Sequence, residues 1–260
     1  MLENKKLFIF DIDGTVLDDS KSIPLETKQA IGELSRTHEV AIATGRNRTM
    51  AKEVIEELGV SNYIVCNGAA AYYKNEAIYT NFLNEEDLEK LIKLADQHGH
   101  QVVYETIDEL RRRNEVPDRS MKEGMTFVGF DVPDYDRGFY ENHSLVQCLL
   151  FISEDEMAIY ADQFKHFRFV RWYKEGIDVL PADGSKYLTI KILANHMGIP
   201  LSDVIAFGDG MNDIEMIRHV GTGIAMGNAE KEVKDVADSV TESNENNGIP
   251  NALRKLKFIK

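Results

Sequence analysis

Cysteine is nearly absent from this chain of 260 residues: Cys66 and Cys148 are the only two. Two isolated thiols exclude a disulfide framework and a cysteine-based zinc site, and both read as buried, inert groups. No apolar stretch approaches the roughly 20 residues that span a bilayer, so no membrane partner is expected. Positive charge is also short. Lys and Arg number 30 against 44 Asp and Glu, a net charge of -14. That balance argues against a nucleic-acid binder that works by neutralising phosphates. Gly-rich nucleotide loops are missing too. Gly208-x-Gly210 carries Asp213 where a third Gly belongs, and Gly221-x-Gly223 carries Met226 there. No Walker-type Gly-rich loop ending in Lys-Ser/Thr occurs. The N-terminal stretch to Lys6 lacks a secretory pattern, and a cytoplasmic protein is the expectation.

What the chain does contain is three short apolar runs that each end in an oxygen-rich turn. Leu7-Phe8-Ile9-Phe10 leads into Asp11-Ile-Asp13-Gly-Thr15. Val40-Ala41-Ile42-Ala43 leads into Thr44-Gly45-Arg46. Val204-Ile205-Ala206-Phe207 leads into Gly208-Asp209-Gly210-Met211-Asn212-Asp213. Runs of this kind read as strands buried on both faces, which belong to parallel sheets. Ligands bind at the carboxyl ends of such strands, where these turns lie. Four acids at one edge, Asp11, Asp13, Asp209 and Asp213, would repel one another without a cation. A calcium loop starting at Asp11 fails on spacing, because its sixth position is Val16 and its twelfth is Ser22.

Between the runs the pattern alternates strand and helix. Helices are expected over 25–35 and 48–58, with a strand at 63–66. The rhythm resumes with a helix at 186–197 and strands near 204–207, 223–226 and 239–241. Asn228 is expected to cap a helix over 230–237, and 242–247 reads as a polar surface loop. The fold class is therefore α/β: a doubly wound, Rossmann-like parallel-sheet core formed by residues 1–81 and 184–260. Residues 82–183 have a different texture and read as an inserted α+β domain. They contain a helix opened by Asn84, strands at 101–105, 146–152, 167–173 and 176–180, and a helix at 154–164. The stretch 110–141 has no clear pattern. Arg111-Arg-Arg113 reads as a solvated charged face, with a phosphate patch as the alternative. Trp172 and Tyr173 read as packing rather than a stacking platform. Met211 is either core filler or a substrate contact.

The set Asp11-x-Asp13-x-Thr15, Thr44, Lys186 and Gly208-Asp-Gly-Met-Asn-Asp213 resembles the haloacid dehalogenase superfamily in order and spacing. Ala43-Thr-Gly-Arg46, Cys66-Asn-Gly-Ala69 and Ala225-Met-Gly-Asn-Ala229 extend the resemblance to its Cof-type phosphatases, and the insert matches the position of their C2 cap. The resemblance implies that Asp11 attacks phosphorus and forms an aspartyl-phosphate, with Asp13 as general acid and then base. It implies Thr44 and Lys186 on the transferring oxygens. Mg²⁺ would be held by Asp11, the Asp13 carbonyl and Asp209, with Asp213 orienting the shell. Thr15, Gly45, Arg46, Asn67 and Asn212 are candidates for positioning substrate. A Lys at a helix start opposes the helix dipole unless an anion lies nearby, which agrees with Lys186 facing a phosphate. The expected substrate is a small phosphorylated metabolite, a sugar phosphate or similar. A phosphomutase shares this chemistry and stays open. A non-catalytic phosphosugar-binding module is disfavoured, since binding alone needs neither Asp11 nor Asp13.

Overall fold

The computed structural model describes residues 5–260. The expectation for the N-terminal stretch lies outside them where it concerns Met1–Asn4. The chain divides into two compact units. One comprises the chain up to Arg46, Met50–Tyr79 and Ser185–Lys260; the other comprises Asn47–Thr49 and Thr80–Gly184.

In chain order the first unit begins with β1 (Leu7–Phe10), α1 (Leu25–Leu34), β2 (Glu39–Ala43), α2 (Arg48–Leu58), β3 (Asn62–Val65), β4 (Ala70–Tyr73) and β5 (Glu76–Thr80). The second unit carries α3 (Glu85–His98), β6 (Gln101–Glu105), β7 (Leu110–Arg112), α4 (Arg119–Phe127), α5 (Phe139–Asn142), β8 (Gln147–Phe151), β9 (Phe167–Tyr173) and β10 (Gly176–Pro181). The first unit resumes with α6 (Lys186–His196), β11 (Val204–Gly208), α7 (Ile214–His219), β12 (Thr222–Ala225), α8 (Lys231–Lys234), β13 (Ser239–Val240) and α9 (Gly248–Lys255).

The first unit holds an eight-stranded sheet in the order β13-β12-β11-β1-β2-β3-β4-β5. From β13 to β3 the pairing is parallel. This is the Rossmann-like core that the apolar runs imply. β4 and β5, unforeseen in the sequence, extend one edge, and β4 runs antiparallel to β3. β1 and β11 are fully buried, because a central parallel strand has layers on both faces. Phe10 and Phe207 stack across their junction with ring centroids 5.0 Å apart. Burial of each such side chain stabilises the sheet by about 1.5–3 kcal/mol. The order places β1 between β2 and β11, so the chain winds away in opposite directions from β1. That is the switch point where doubly wound sheets open a crevice at their carboxyl ends.

The second unit is an α+β structure on a five-stranded antiparallel sheet, β7-β6-β8-β10-β9. Asn84 caps α3 by accepting from the Asp87 N–H at 3.0 Å, and Gly99 ends it at φ 72°. Alternate residues of β6 serve two apolar clusters. Val102 and Tyr104 join Leu88, Leu91 and Ile92, whereas Val103 joins Met121 and Met125 of α4.

Several expectations need correction. The helix expected at 154–164 shrinks to a 3₁₀ turn at Asp155–Ile159, since Asp162 adopts a left-handed conformation at φ 58°. The helix expected at 230–237 is only α8, and Asn228 does not cap it: its side chain reaches Gly14 and Asn244 instead. The loop at 242–247 is not wholly a surface feature, because Asn244 is buried and donates to the Leu17 carbonyl at 2.9 Å. The patternless stretch contains α4, capped by Asp118. Arg111–Arg113 is neither a solvated face nor an open phosphate patch. Arg113 forks onto Asp96 at 2.8 and 2.6 Å, and Arg112 donates to the carbonyls of Asn114 and Glu115. Trp172 packs edge-on against Phe151. Met211 is 48% exposed and so is not core filler.

Candidate active site

The tips of three adjacent strands converge. The register pairs Phe10 with Phe207 on one side and with Ile42 on the other, so Asp11, Gly208 and Ala43 follow side by side. Asp11 N–H still donates to the Phe207 carbonyl at 3.0 Å, which fixes its backbone to β11. The chain then turns through a wide π-type turn, Ile12–Val16. Gly14 makes this possible. Its φ is +76°, and a Cβ there would fall 2.2 Å from Asp209 Oδ2. The turn after β1 therefore lies directly against the acid after β11, and Thr15 Oγ1 donates to Asp209 Oδ1 at 2.9 Å.

Lys186 joins the acids. It opens α6, whose cap Ser185 accepts from the Leu188 N–H. Its Nζ donates to Asp11 Oδ1 at 2.6 Å and to Asp213 Oδ1 at 2.7 Å, and all three side chains are buried. The two carboxylates supply the anions that a lysine at a helix start requires. Asp213 Oδ2 accepts from the backbone N–H groups of Asp209 and Gly210 at 3.0 and 3.1 Å. Asp213 thus holds the Asp209 loop and the Lys186 ammonium at once. Carboxylate oxygens of Asp11, Asp209 and Asp213 lie within 4.8 Å of one another. Clustered hard oxygens suit a small divalent cation.

The electrostatics point the same way. Burial, then the charge of Asp213, pushes Asp209 up to about 7. Burial likewise raises Asp11, with the Lys186 ammonium opposing and the charges of Asp213 and Asp209 adding to the rise. Burial acts to lower Lys186, but the carboxylates of Asp11 and Asp213 outweigh it and hold the amine protonated. Three acids share one cation here, and a divalent ion would reverse the upward shifts.

The Asp13 carboxylate points elsewhere. It forms a fork with Arg46, whose Nε and Nη2 each donate at 2.8 Å, and Lys21 Nζ adds a bond of 3.0 Å. Burial would raise Asp13, yet Arg46 and then Lys21 bring it below the usual carboxylate value. Arg46 N–H donates to Thr44 Oγ1 at 3.1 Å, and the Thr44 carbonyl accepts from Asn67 N–H at 3.0 Å. Asn67 and the preceding Cys66 both adopt left-handed backbones, φ 53° and 50°, at about 1–3 kcal/mol of strain each. That conformation brings Asn67 Oδ1 within 2.9 Å of Asn212 Nδ2. Gly45 lies against the pair: a Cβ there would meet Asn67 Oδ1 at 3.1 Å.

Every candidate residue lies within the first unit, in two sets that meet through the Asp11–Asp13 turn and the Asn212–Asp213 peptide and make one site. Asp11, Asp209, Asp213, Lys186 and Thr15 form its acidic centre. Asp13, Arg46, Thr44, Gly45, Asn67 and Asn212 form its flank. Lys21, which bonds Asp13, lies in a polar loop and carries no periodic signal in the sequence. Asn228, expected as a cap, bonds Gly14 instead, and its place in Ala225-Met-Gly-Asn-Ala229 is the sequence signal that marks it.

This network at the switch point of a doubly wound sheet is that of a phosphoryl-transfer hydrolase, and residues 8–253 match the haloacid dehalogenase-like hydrolase family. The chain belongs to that family, and its inserted unit is of the C2 cap type. It is 40% identical over 259 residues to the Bacillus subtilis (strain 168) protein YkrA, covering 99% of this chain and 100% of YkrA. It is similar to the crystal structure of a hypothetical protein from Geobacillus kaustophilus HTA426, with TM-score 0.92 and 39% identity over 98% of this chain and 100% of the other. A phosphatase of the haloalkanoate superfamily from Bacteroides thetaiotaomicron matches with TM-score 0.90 and 25% identity, over 98% of this chain and 96% of its own. No helix among the described residues is long and apolar enough to cross a membrane.

Proposed function

We propose that the protein is a Mg²⁺-dependent phosphatase that hydrolyses small phosphorylated metabolites in the cytoplasm. The observation that carries this reading is Asp11: a carboxylate on the central strand tip, bonded to a buried lysine and flanked by two further acids. In the first step an Asp11 oxygen attacks phosphorus. The bond from phosphorus to the leaving oxygen breaks and an aspartyl-phosphate forms; Asp13 is ionised while forked onto Arg46 and Lys21, and supplies the proton that oxygen needs once it has left that fork and taken up a proton. In the second step Asp13 takes a proton from water, which attacks the same phosphorus. Phosphate leaves and Asp11 is restored. Lys186 and Thr44 bind the transferring oxygens, where charge builds up. Asn67 and Asn212 position the phosphoryl group beside them, and Arg46 favours the ionised form of Asp13, the form that takes the proton from water in the second step.

The acid cluster fits Mg²⁺, with Asp11 and Asp209 as side-chain ligands, the Asp13 carbonyl as a third and Asp213 orienting the set. When bound, the ion would neutralise the acids and admit an anionic phosphate. These residues grip only the phosphoryl group. Choice among metabolites therefore falls to the inserted unit, residues 82–183. A screen of phosphorylated metabolites tests the reading: sugar phosphates or similar small esters should release phosphate. EDTA should abolish that release, Mg²⁺ should restore it, and Ca²⁺, with its looser coordination, should not. Full turnover in chelator, or interconversion of sugar phosphates without phosphate release, would overturn it.

A further inference from the structure

The loop between β12 and α8 bonds both acid-bearing loops of the site. On one side, Met226 N–H donates to the Gly208 carbonyl at 3.0 Å and Glu230 N–H to the Asp209 carbonyl at 3.1 Å. On the other, Asn228 Nδ2 donates to the Gly14 carbonyl at 2.8 Å, inside the turn that carries Asp13. The Asn228 side chain is itself held. Its Oδ1 accepts from the Asn244 N–H at 3.1 Å, and buried Asn244 sends its amide to the Leu17 carbonyl at 2.9 Å. A third tie, from Asp19 N–H to Glu245 Oε1 at 2.6 Å, follows in the same direction. Two segments more than 200 residues downstream thus grip the turn after β1 at Gly14 and the chain just beyond it at Leu17 and Asp19.

The need for a grip follows from the turn's geometry. Gly14 is the residue with most backbone freedom, and it sits where its missing Cβ lets Asp209 approach. Thr15 Oγ1 bonds Asp209 directly, but that contact involves one rotatable hydroxyl. The Asn228 amide is planar and satisfied at both ends, so it fixes the Gly14 carbonyl relative to the loop that carries Asp209. The ions of a metal site are tuned by such outer partners as well as by the ligands.

We propose that Asn228 is a positioning residue: backed by Asn244, it sets the separation between the Asp11–Asp13 turn and Asp209, and with it the affinity for Mg²⁺. The inference rests on the Mg²⁺ reading of the acid cluster. It is tested on the full-length protein by calorimetric Mg²⁺ titration and by hydrogen exchange of the Gly14–Leu17 segment. Asn228→Ala removes both bonds, and Asn228→Leu removes them while keeping the volume. Both variants should bind Mg²⁺ about tenfold more weakly, at the lower end of outer-partner effects. Exchange at Gly14–Leu17 should quicken with or without the ion. Asn244→Ala keeps the backbone N–H that supports Asn228 and loses only the bond to the Leu17 carbonyl, so it should quicken exchange in Gly14–Leu17 but weaken Mg²⁺ binding less than Asn228→Ala does. Asn246→Ala, which bonds only Ser243 through its side chain, should match wild type. A folded Asn228→Leu protein with lowered Tm but Mg²⁺ affinity within about twofold of wild type would make Asn228 a plain tether and overturn the proposal. Unchanged exchange in Gly14–Leu17 would overturn it as well. Absence of Mg²⁺ binding in wild type would instead strike at the metal reading, and the exchange data would still judge the clasp.

Discussion

In each unit a buried cation meets carboxylate, Arg113 in the inserted unit and Lys186 in the core, and the two clusters are built on opposite terms. In the inserted unit, Arg113 forks onto Asp96, donates to Tyr104 Oη at 2.6 Å, and is joined by Arg137 on the same acid at 2.8 Å. Cations outnumber acids, and the pair satisfies itself. Arg113, before any other partner, lowers Asp96, and Asp96 raises Arg113 against the cost of burial. In the core unit, Asp11, Asp209 and Asp213 share Lys186, and burial drives Asp11 and Asp209 upward. A self-satisfied cluster is a structural device. An unsatisfied one, at a strand tip, marks a site that awaits further charge.

The comparison can be broken most severely at Asp11. Asp11→Asn keeps the shape and removes the attacking oxygen's charge, so turnover of the best substrate should fall by at least about 10³-fold. Its Tm should hold, since it relieves a crowded cluster. A steady-state assay with a melting curve checks both, and near-normal turnover would remove Asp11 as nucleophile. The reverse pattern is expected at Arg113. Arg113→Met should lower stability by about 2 kcal/mol in denaturant melts, less than the loss of a fully buried pair because Asp96 is partly solvated. Hydrolysis of a small aryl phosphate by the folded variant should stay near wild type. A large loss of that activity without loss of stability would merge the two clusters' roles.

A smaller effect sharpens the difference through pH. Asp209 rises from an ordinary carboxylate value to about 7 on folding, so between those values the folded state binds the extra proton. This group therefore stabilises the ion-free protein least above about pH 7, and most where it is protonated. Mg²⁺ competes with that proton. The rise in Tm on adding Mg²⁺ should be larger at pH 8 than at pH 6, and equal rises would contradict an upshifted acid in the metal cluster. The Asp96 cluster, lacking an upshifted acid, should contribute nothing to this difference.

Much of the site's frame was legible because it depends on local signals. Four apolar residues ending at Asp11, at Thr44 or at Asp209 can hardly be other than central parallel strands, and their tips must lie together. Lys186 was legible as a cation at a helix start that wanted an anion. The contacts between segments distant in sequence were not. Nothing local says that Arg46 forks onto Asp13, or that Asn228 spends its amide on Gly14 rather than on α8. The inserted unit was harder for the same reason. Arg112 and Arg113 look like a solvated run until the carbonyls and Asp96 that accept from them are in place. The 154–164 segment has helical content, yet burial of Tyr160 and Phe164 and the left-handed turn at Asp162 override it. The edge strands β4 and β5 were missed because Ala70–Tyr73 and Glu76–Thr80 are short and lack alternation.

The central claim is covalent capture of phosphate by Asp11, and acid quenching tests it most directly. Wild-type protein, mixed with an excess of a ³²P-labelled sugar phosphate and Mg²⁺ and quenched in acid within the first turnover, should retain label on the peptide containing Asp11. Hydroxylamine should release it, as it does an acyl phosphate, and Asp11→Asn should retain none. Label on a different peptide, or a burst of free phosphate with no labelled protein at any quench time, would contradict the account.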